Sequence, residues 1–215
     1  MNQWILASNS PRRKQLLSLF GNPFSIIPAD INEDRLPDEH SVDYVNRLAC
    51  EKAKVVAAKN DGLVIAADTI VADGEELLGK PGDEKEAREM LHKLRGRNHQ
   101  VYTGIALIDT RNRKFHSDVC CTEVPMRGYS NSEVEAYIET GDPMDKAGAY
   151  AIQHPEFHPV EMLSGCYASV MGLPLCHLLI GLKKFGCQLP DDLPQRCQRT
   201  LEYHCPIFET IINAK

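Results

Sequence analysis

Apolar and polar positions alternate in short blocks whose period switches between two and about three and a half, the signature of strands and helices following one another. Residues 3–7, QWILA, form a compact apolar block that predicts a short buried strand. Ser10 followed by Pro11 then reads as a helix start, with Ser as cap and Pro in the first turn, and Gly21 ends that helix. From Ser41 to about Ala58 the apolar residues Val42, Val45, Leu48, Ala49 and Val56 recur at helical spacing, which predicts an amphipathic helix. Lys52 falls inside that stripe, whereas Lys54 projects to the opposite side.

Leu63 to Ala72 (LVIAADTIVA) is rich in β-branched residues and reads as a buried strand interrupted by Asp68. Asp83 caps a helix carrying Ala87, Met90, Leu91 and Leu94 on one face, and Gly96 stops it. His99 to Asp109 and Lys114 to Arg127 are expected to form a hairpin that turns around Arg111 to Arg113. Asn131 or Ser132 opens a helix through Val134, Tyr137 and Ile138 that ends at Gly141. Asp142 to Gln153 is then expected as a loop entering a strand, and Pro174 opens a last core helix ending near Gly186. Strands alternating with helices, plus one hairpin, predict a mixed α/β (α+β) fold. We divide the chain into a domain over 1–186 and an extension over 187–215, separated by a Pro- and Asp-rich linker and expected to be a short helix or docking tail.

Composition narrows the picture. A hydrophobic fraction of 43%, a charged fraction of 25% and a formal charge of -6 describe an ordinary globular chain with no basic run for gripping duplex nucleic acid. No signal-peptide pattern and no membrane-length apolar run occur, so a cytosolic location is expected, and the eight scattered cysteines are read as reduced thiols. Cys187, Cys197, His204 and Cys205 in the extension suggest zinc, but their intervals match no compact ligand pattern.

Three constellations carry candidate chemistry. Ser8-Asn9-Ser10-Pro11-Arg12-Arg13 places small polar residues and two guanidinium groups at a helix N-terminus, which suits a polyphosphate and equally suits a plain capped helix with surface arginines. Asp68-Thr69 puts a carboxylate among Val, Ile and Ala; it calls for a metal, a lysine, an activated water or backbone amides as compensation. Asp142 to Gln153 is dense in carboxylates and then small residues, and Gln153 offers both donors and an acceptor for a base edge. Lys80, after Gly79, and Glu33, in an acidic loop, are weak signals by themselves, and Lys52 could snorkel to the surface. No Walker loop, G-x-G-x-x-G turn, H-E-x-x-H helix or nucleophile elbow is present.

Taken together and in order, LASNSPRR, AADTIV, GKP, VYTG, DPMDKAGAYAIQ and GLPL resemble the Maf family of nucleoside triphosphate pyrophosphatases over roughly residues 4 to 185. The resemblance implies an elongated mixed sheet with flanking helices in two lobes around a central cleft, similar to inosine triphosphatase, and a homodimer. It implies Asp68 as proton acceptor or metal-associated carboxylate, Glu33 as second acid, and Ser8, Arg12, Arg13, Lys52 and Lys80 as phosphate binders. Asp68 and Glu33 would hold a divalent cation, Mg²⁺ or Mn²⁺. Arg12, Thr69 and Gln153 match the branch acting on dTTP and UTP, which extends to modified pyrimidines such as 5-methyl-UTP and to a housecleaning role. The competing readings are a 7-methyl-GTP pyrophosphatase and a non-catalytic nucleotide-binding regulator of septum formation. The chain departs from the family pattern at His154-Pro155-Glu156 and at Cys166.

Overall fold

The computed structural model describes residues 3–214. The elements are β1 (Trp4–Leu6), α1 (Pro11–Ser18), β2 (Phe24–Ile26), α2 (Ser41–Ala57), β3 (Leu63–Asp73), β4 (Glu76–Leu78), α3 (Glu84–Leu94), β5 (Asn98–Asp109), β6 (Lys114–Pro125), α4 (Asn131–Glu139), α5 (Tyr167–Val170), α6 (Leu175–Lys184), α7 (Leu193–Thr200) and α8 (Phe208–Asn213). Two short 3₁₀ turns, Asp142–Asp145 and Ala147–Ala149, follow α4.

The strands build one mixed sheet in the order β2-β1-β3-β5-β6, with β4 folded back on β3. β5 pairs antiparallel with β3 along Leu63–Ala72, covering one edge of that strand. The other edge is shared: parallel β1 takes Leu63–Ile65 and antiparallel β4 takes Val71–Asp73. Residues 66–70 therefore have no ladder partner on that side. The chain leaving β1 turns into α1 at this gap, and Asp68 and Thr69 lie within it.

Each face of the sheet is packed separately. α2 covers one face, with Ala49, Ala53 and Val56 against Ile5, Val64, Ala66 and Ala106. Small residues let this helix sit close: a Cβ on Gly104 would meet the Val45 carbonyl oxygen at 2.5 Å. The other face carries the larger core, in which Leu16, Leu17, Leu63, Ile65, Ile105, Leu107 and Leu182 are fully buried. At about 25 cal/mol per Å² of apolar surface, each such side chain contributes on the order of 2 kcal/mol against exposure.

Several expectations need correction. Val42 stands 45% exposed rather than in the buried stripe of α2, because the packed face runs through Val45, Leu48, Ala49, Lys52 and Val56. No strand follows the Asp142 segment among the described residues. Gly148 and Ala149 both take left-handed backbone angles (φ 69 and 59), which breaks any extended run, and the Ala151 amide donates to the Tyr137 hydroxyl at 2.9 Å instead of to a ladder. The extension is two helices rather than one short helix, and it docks on the main core: Leu193 is fully buried, Cys197, Leu201 and Ile212 pack against the large cluster, and the Tyr203 hydroxyl donates to the Leu163 and Gly165 carbonyls at 2.9 and 3.0 Å. Strands β2 and β4, three residues each, are too short to show in the sequence pattern. Among the described residues, no helix is long and apolar enough to cross a membrane.

Candidate active site

The gap in the edge of β3 opens into a cleft of about 550 Å³, lined by the Ser8–Arg13 turn, Glu33, Lys52, Asp68, Thr69, Lys80 and the stretch from Asp145 to Gln153. That volume is in the usual range for a small-molecule site. All nine residues singled out from the sequence, including Arg12 and Gln153, line this one cleft. Segments more than a hundred residues apart in the chain thus converge.

At its floor Lys52 Nζ lies 2.5 Å from Asp68 Oδ1 and 2.6 Å from Glu33 Oε1. Lys52 and Asp68 are 8% and 7% exposed, and burying either charge singly would cost several kcal/mol. The partner that Asp68 demands is therefore a lysine. The placement follows from periodicity: Lys52 replaces an apolar residue on the buried face of α2, and Asp68 does the same on the facing side of β3. Each carboxylate uses one oxygen on Lys52.

Across β3 the chemistry is different. Arg13 donates from Nε to the Gly172 carbonyl (2.9 Å), from Nη1 to Ser8 Oγ (3.3 Å) and from Nη2 to Thr69 Oγ1 (3.1 Å). Thr69 Oγ1 also meets Thr103 Oγ1 at 3.0 Å, and Thr103 donates to the Ser169 carbonyl at 2.8 Å. These bonds use three of the five guanidinium N–H donors, and through them Arg13 braces the turn. Burial pulls its pKa down, partly offset by the charge of Asp68. Gly172, at φ 106, admits this close approach; a Cβ there would sit 3.2 Å from both Arg13 Nε and Thr69 Oγ1.

The rim is held by ion pairs. Arg12 Nη1 reaches Asp145 Oδ2 at 3.4 Å, with Asp145 itself bound by Lys146 Nζ at 2.6 Å. Lys146 is buried and also holds Asp142 at 2.8 Å. Burial would raise the Asp145 carboxyl, but the hydrogen bonds and charges of Lys146 and Arg12 together outweigh it and the pKa is lowered. Lys80 and Gln153 are exposed on the rim. The Gly148 amide donates to the Gly79 carbonyl at 3.0 Å, which ties the Lys80 loop to the Gln153 segment.

Three contributors escaped the sequence reading. Tyr44 lines the cleft and donates to the Glu33 carbonyl at 2.7 Å; its pKa is raised by burial and then by the Asp68 and Glu33 charges. Its signal was the i, i+4, i+8 series Tyr44, Leu48, Lys52. Fully buried Thr103 carried only the alternation of β5, and Gly172 needed the Arg13 contact to be recognised. Among the described residues, no group of three or more His, Cys, Asp or Glu side chains gathers to hold a metal. The cleft offers a cation two carboxylates, Asp68 and Glu33.

Comparison with known proteins bears on this geometry. The family profile described as Maf-like protein matches residues 3–185. A protein of Clostridium botulinum (strain Kyoto / Type A2) named dTTP/UTP pyrophosphatase is 43% identical over 194 residues, covering 88% of this chain and all of that one. One of the same name from Dehalococcoides mccartyi is 42% identical over 212 residues, 97% of this chain and 93% of its own. The structure of the Staphylococcus aureus Ham1 protein shares the fold, with a TM-score of 0.50 over 86% of this chain and 100% of that one at 14% identity. The convergent cleft, the six ordered motifs and these relatives agree, and the chain belongs to the Maf-like protein family.

Proposed function

We propose that this chain, a nucleoside triphosphate pyrophosphatase of the Maf-like family, hydrolyses dTTP or UTP, or a modified pyrimidine counterpart such as 5-methyl-UTP, to the monophosphate and pyrophosphate. The observation that carries this reading is Lys52 held between Asp68 and Glu33 at the floor of a cleft rimmed by Arg12 and Lys80. Water attacks the α-phosphorus and pyrophosphate leaves. Asp68, fixed on a strand, orients that water and accepts its proton. Lys52, Lys80 and Arg12 absorb the charge that builds on the phosphate oxygens, Arg12 exchanging Asp145 for the incoming phosphate. Thr69, backed by Arg13 and Thr103, and Gln153 on the rim contact the base.

The donor set fits Mg²⁺ or Mn²⁺, because Asp68 and Glu33 present hard oxygen ligands and each keeps one oxygen clear of Lys52. Such a cation supplies neutralisation of phosphate charge and a more acidic water. A housecleaning role, removing modified pyrimidine nucleotides, follows from the same pocket if modified bases are preferred.

A pyrophosphate-release assay over dTTP, UTP, 5-methyl-UTP, 7-methyl-GTP and the purine triphosphates tests this. Pyrimidine triphosphates are expected to lead. Preference for 7-methyl-GTP would overturn the base assignment, and tight nucleotide binding without release would favour the regulatory reading.

A further inference from the structure

Glu33 sits in a stretch, residues 27–40, that forms neither helix nor strand and is crowded with carboxylates: Asp30, Glu33, Asp34, Asp38 and Glu39. Left to itself such a loop would be pushed outward by its own charge and by Asp68 behind it. Its carboxylate nevertheless rests on Lys52 at 2.6 Å. Two side chains of α2 account for this. The Tyr44 hydroxyl donates to the carbonyl of Glu33 itself at 2.7 Å, and Arg47 Nη2 donates to the carbonyl of the next residue, Asp34, at 3.0 Å.

Arg47 is committed to the loop at a second point. Its Nε and Nη2 donate to Glu39 Oε1 and Oε2 at 2.6 and 2.8 Å, a bidentate fork, and Glu39 Oε2 also accepts from the Leu36 amide at 3.1 Å. The guanidinium lies 5.6 Å from the centre of the Tyr44 ring, so the two anchors support each other. The Glu39 side chain is 8% exposed, which shields the fork from water, and hydrogen bonding to Arg47 holds its carboxyl below the usual range. Tyr44, Arg47 and Lys52 all stand on α2, so one rigid helix sets both the loop that carries Glu33 and the ammonium that Glu33 meets.

We propose that Arg47 and Tyr44 are positioning residues for hydrolysis, fixing the Glu33 loop so that its carboxylate stays at Lys52 and the cleft. Neither touches the reacting phosphate; both act through Glu33. The inference rests on the assignment of Glu33 as the second acid. An Arg is required at 47 because a lysine offers a point charge and cannot grip Glu39 and the Asp34 carbonyl together.

The test is a double-mutant cycle on pyrophosphate release, built from Arg47→Met, Tyr44→Phe and Glu33→Gln. In the native background Arg47→Met is expected to lower kcat between about ten- and a hundredfold, the scale of a displaced catalytic group. Tyr44→Phe, which removes one hydroxyl and keeps the ring, is expected to lower it about fivefold. In the Glu33→Gln background each should change kcat by less than about twofold, since the carboxylate they position is gone. Arg47→Lys should recover little of the loss. Equal fold losses with and without Glu33 would overturn the proposal by showing that the residues act on the fold at large. Native turnover in Glu33→Gln would instead sink the assignment of Glu33 itself. If Arg47→Met does not fold, the Tyr44→Phe cycle decides between these outcomes.

Discussion

Asp68 and Thr69 are consecutive residues of β3, yet they belong to different halves of the site. Asp68 faces α2 and meets a full charge in Lys52, which in turn meets Glu33. Thr69 faces α1 and joins a relay of hydroxyl and carbonyl groups around one arginine. The alternation of a strand separates the two by pointing neighbours to opposite faces. A network of charges can exchange partners and move a proton when a triphosphate arrives. A relay pinned by three hydrogen bonds from one arginine keeps its geometry. The first suits the reacting phosphate and the second suits reading a base.

The comparison can be broken first on the charged side. Lys52→Met leaves Asp68 buried without its cation, and the expected loss is about 3–5 kcal/mol of unfolding free energy, read by urea denaturation at pH 7, together with most of the turnover. A variant as stable as the native chain would mean that the ion pair adds nothing. A smaller blow comes from Gly104→Ala. Its new Cβ would stand 2.5 Å from the Val45 carbonyl oxygen, so α2 must move outward and carry Lys52 away from Asp68. The expected cost is about 1–3 kcal/mol, with kcat falling while base preference stays put.

On the Thr69 side, Thr103→Val removes the support of Thr69 and leaves the Ser169 carbonyl with the Gly172 amide alone. About 1–2 kcal/mol of stability should go, with base preference altered more than kcat. Stability also depends on pH, through two histidines. His99, bonded to Tyr150 at 2.8 Å, is pushed down to about 4 by burial. The unfolded chain then binds more protons than the folded one between about 6.5 and 4, and stability falls as pH drops through that window. For His177, burial is outweighed by hydrogen bonds to Asp118 and Cys120, which raise it to about 9. Its contribution is complete below about 6.5 and is lost as pH rises through about 9. His99→Gln should flatten the acid limb of a Tm-against-pH curve and His177→Gln the alkaline limb.

Much of this was legible in the chain. Asp68 and Lys52 each break an apolar stripe, and a charge where the period demands an apolar residue announces a partner before the partner is known. The cap at Ser10 and the hairpin of β5 and β6 followed from turn and alternation chemistry alone. What escaped was whatever depends on contact across the chain. The sequence marks Arg13 as a surface arginine or a phosphate ligand, and only its contacts with the Gly172 carbonyl and Thr69 show that it also braces the turn. The stretch after Asp142 carries a strand-like run of Ala, Tyr and Ile, but Gly148 and Ala149 in the left-handed region and the Tyr137 hydroxyl decide its path. The extension reads as an appendage because a Pro- and Asp-rich linker precedes it, and the buried Leu193 shows that it packs on the core.

The division between the two faces of β3 is tested most directly by steady-state kinetics of Asp68→Asn and Thr69→Val over the same panel of triphosphates. Asp68→Asn is expected to lower kcat by a common factor for every substrate, with the order of preference intact. Thr69→Val is expected to change the ratio of kcat/KM between pyrimidine and purine triphosphates while the best substrate keeps near-native kcat. Near-native turnover in Asp68→Asn, or the same pattern of loss in both variants, would contradict the account.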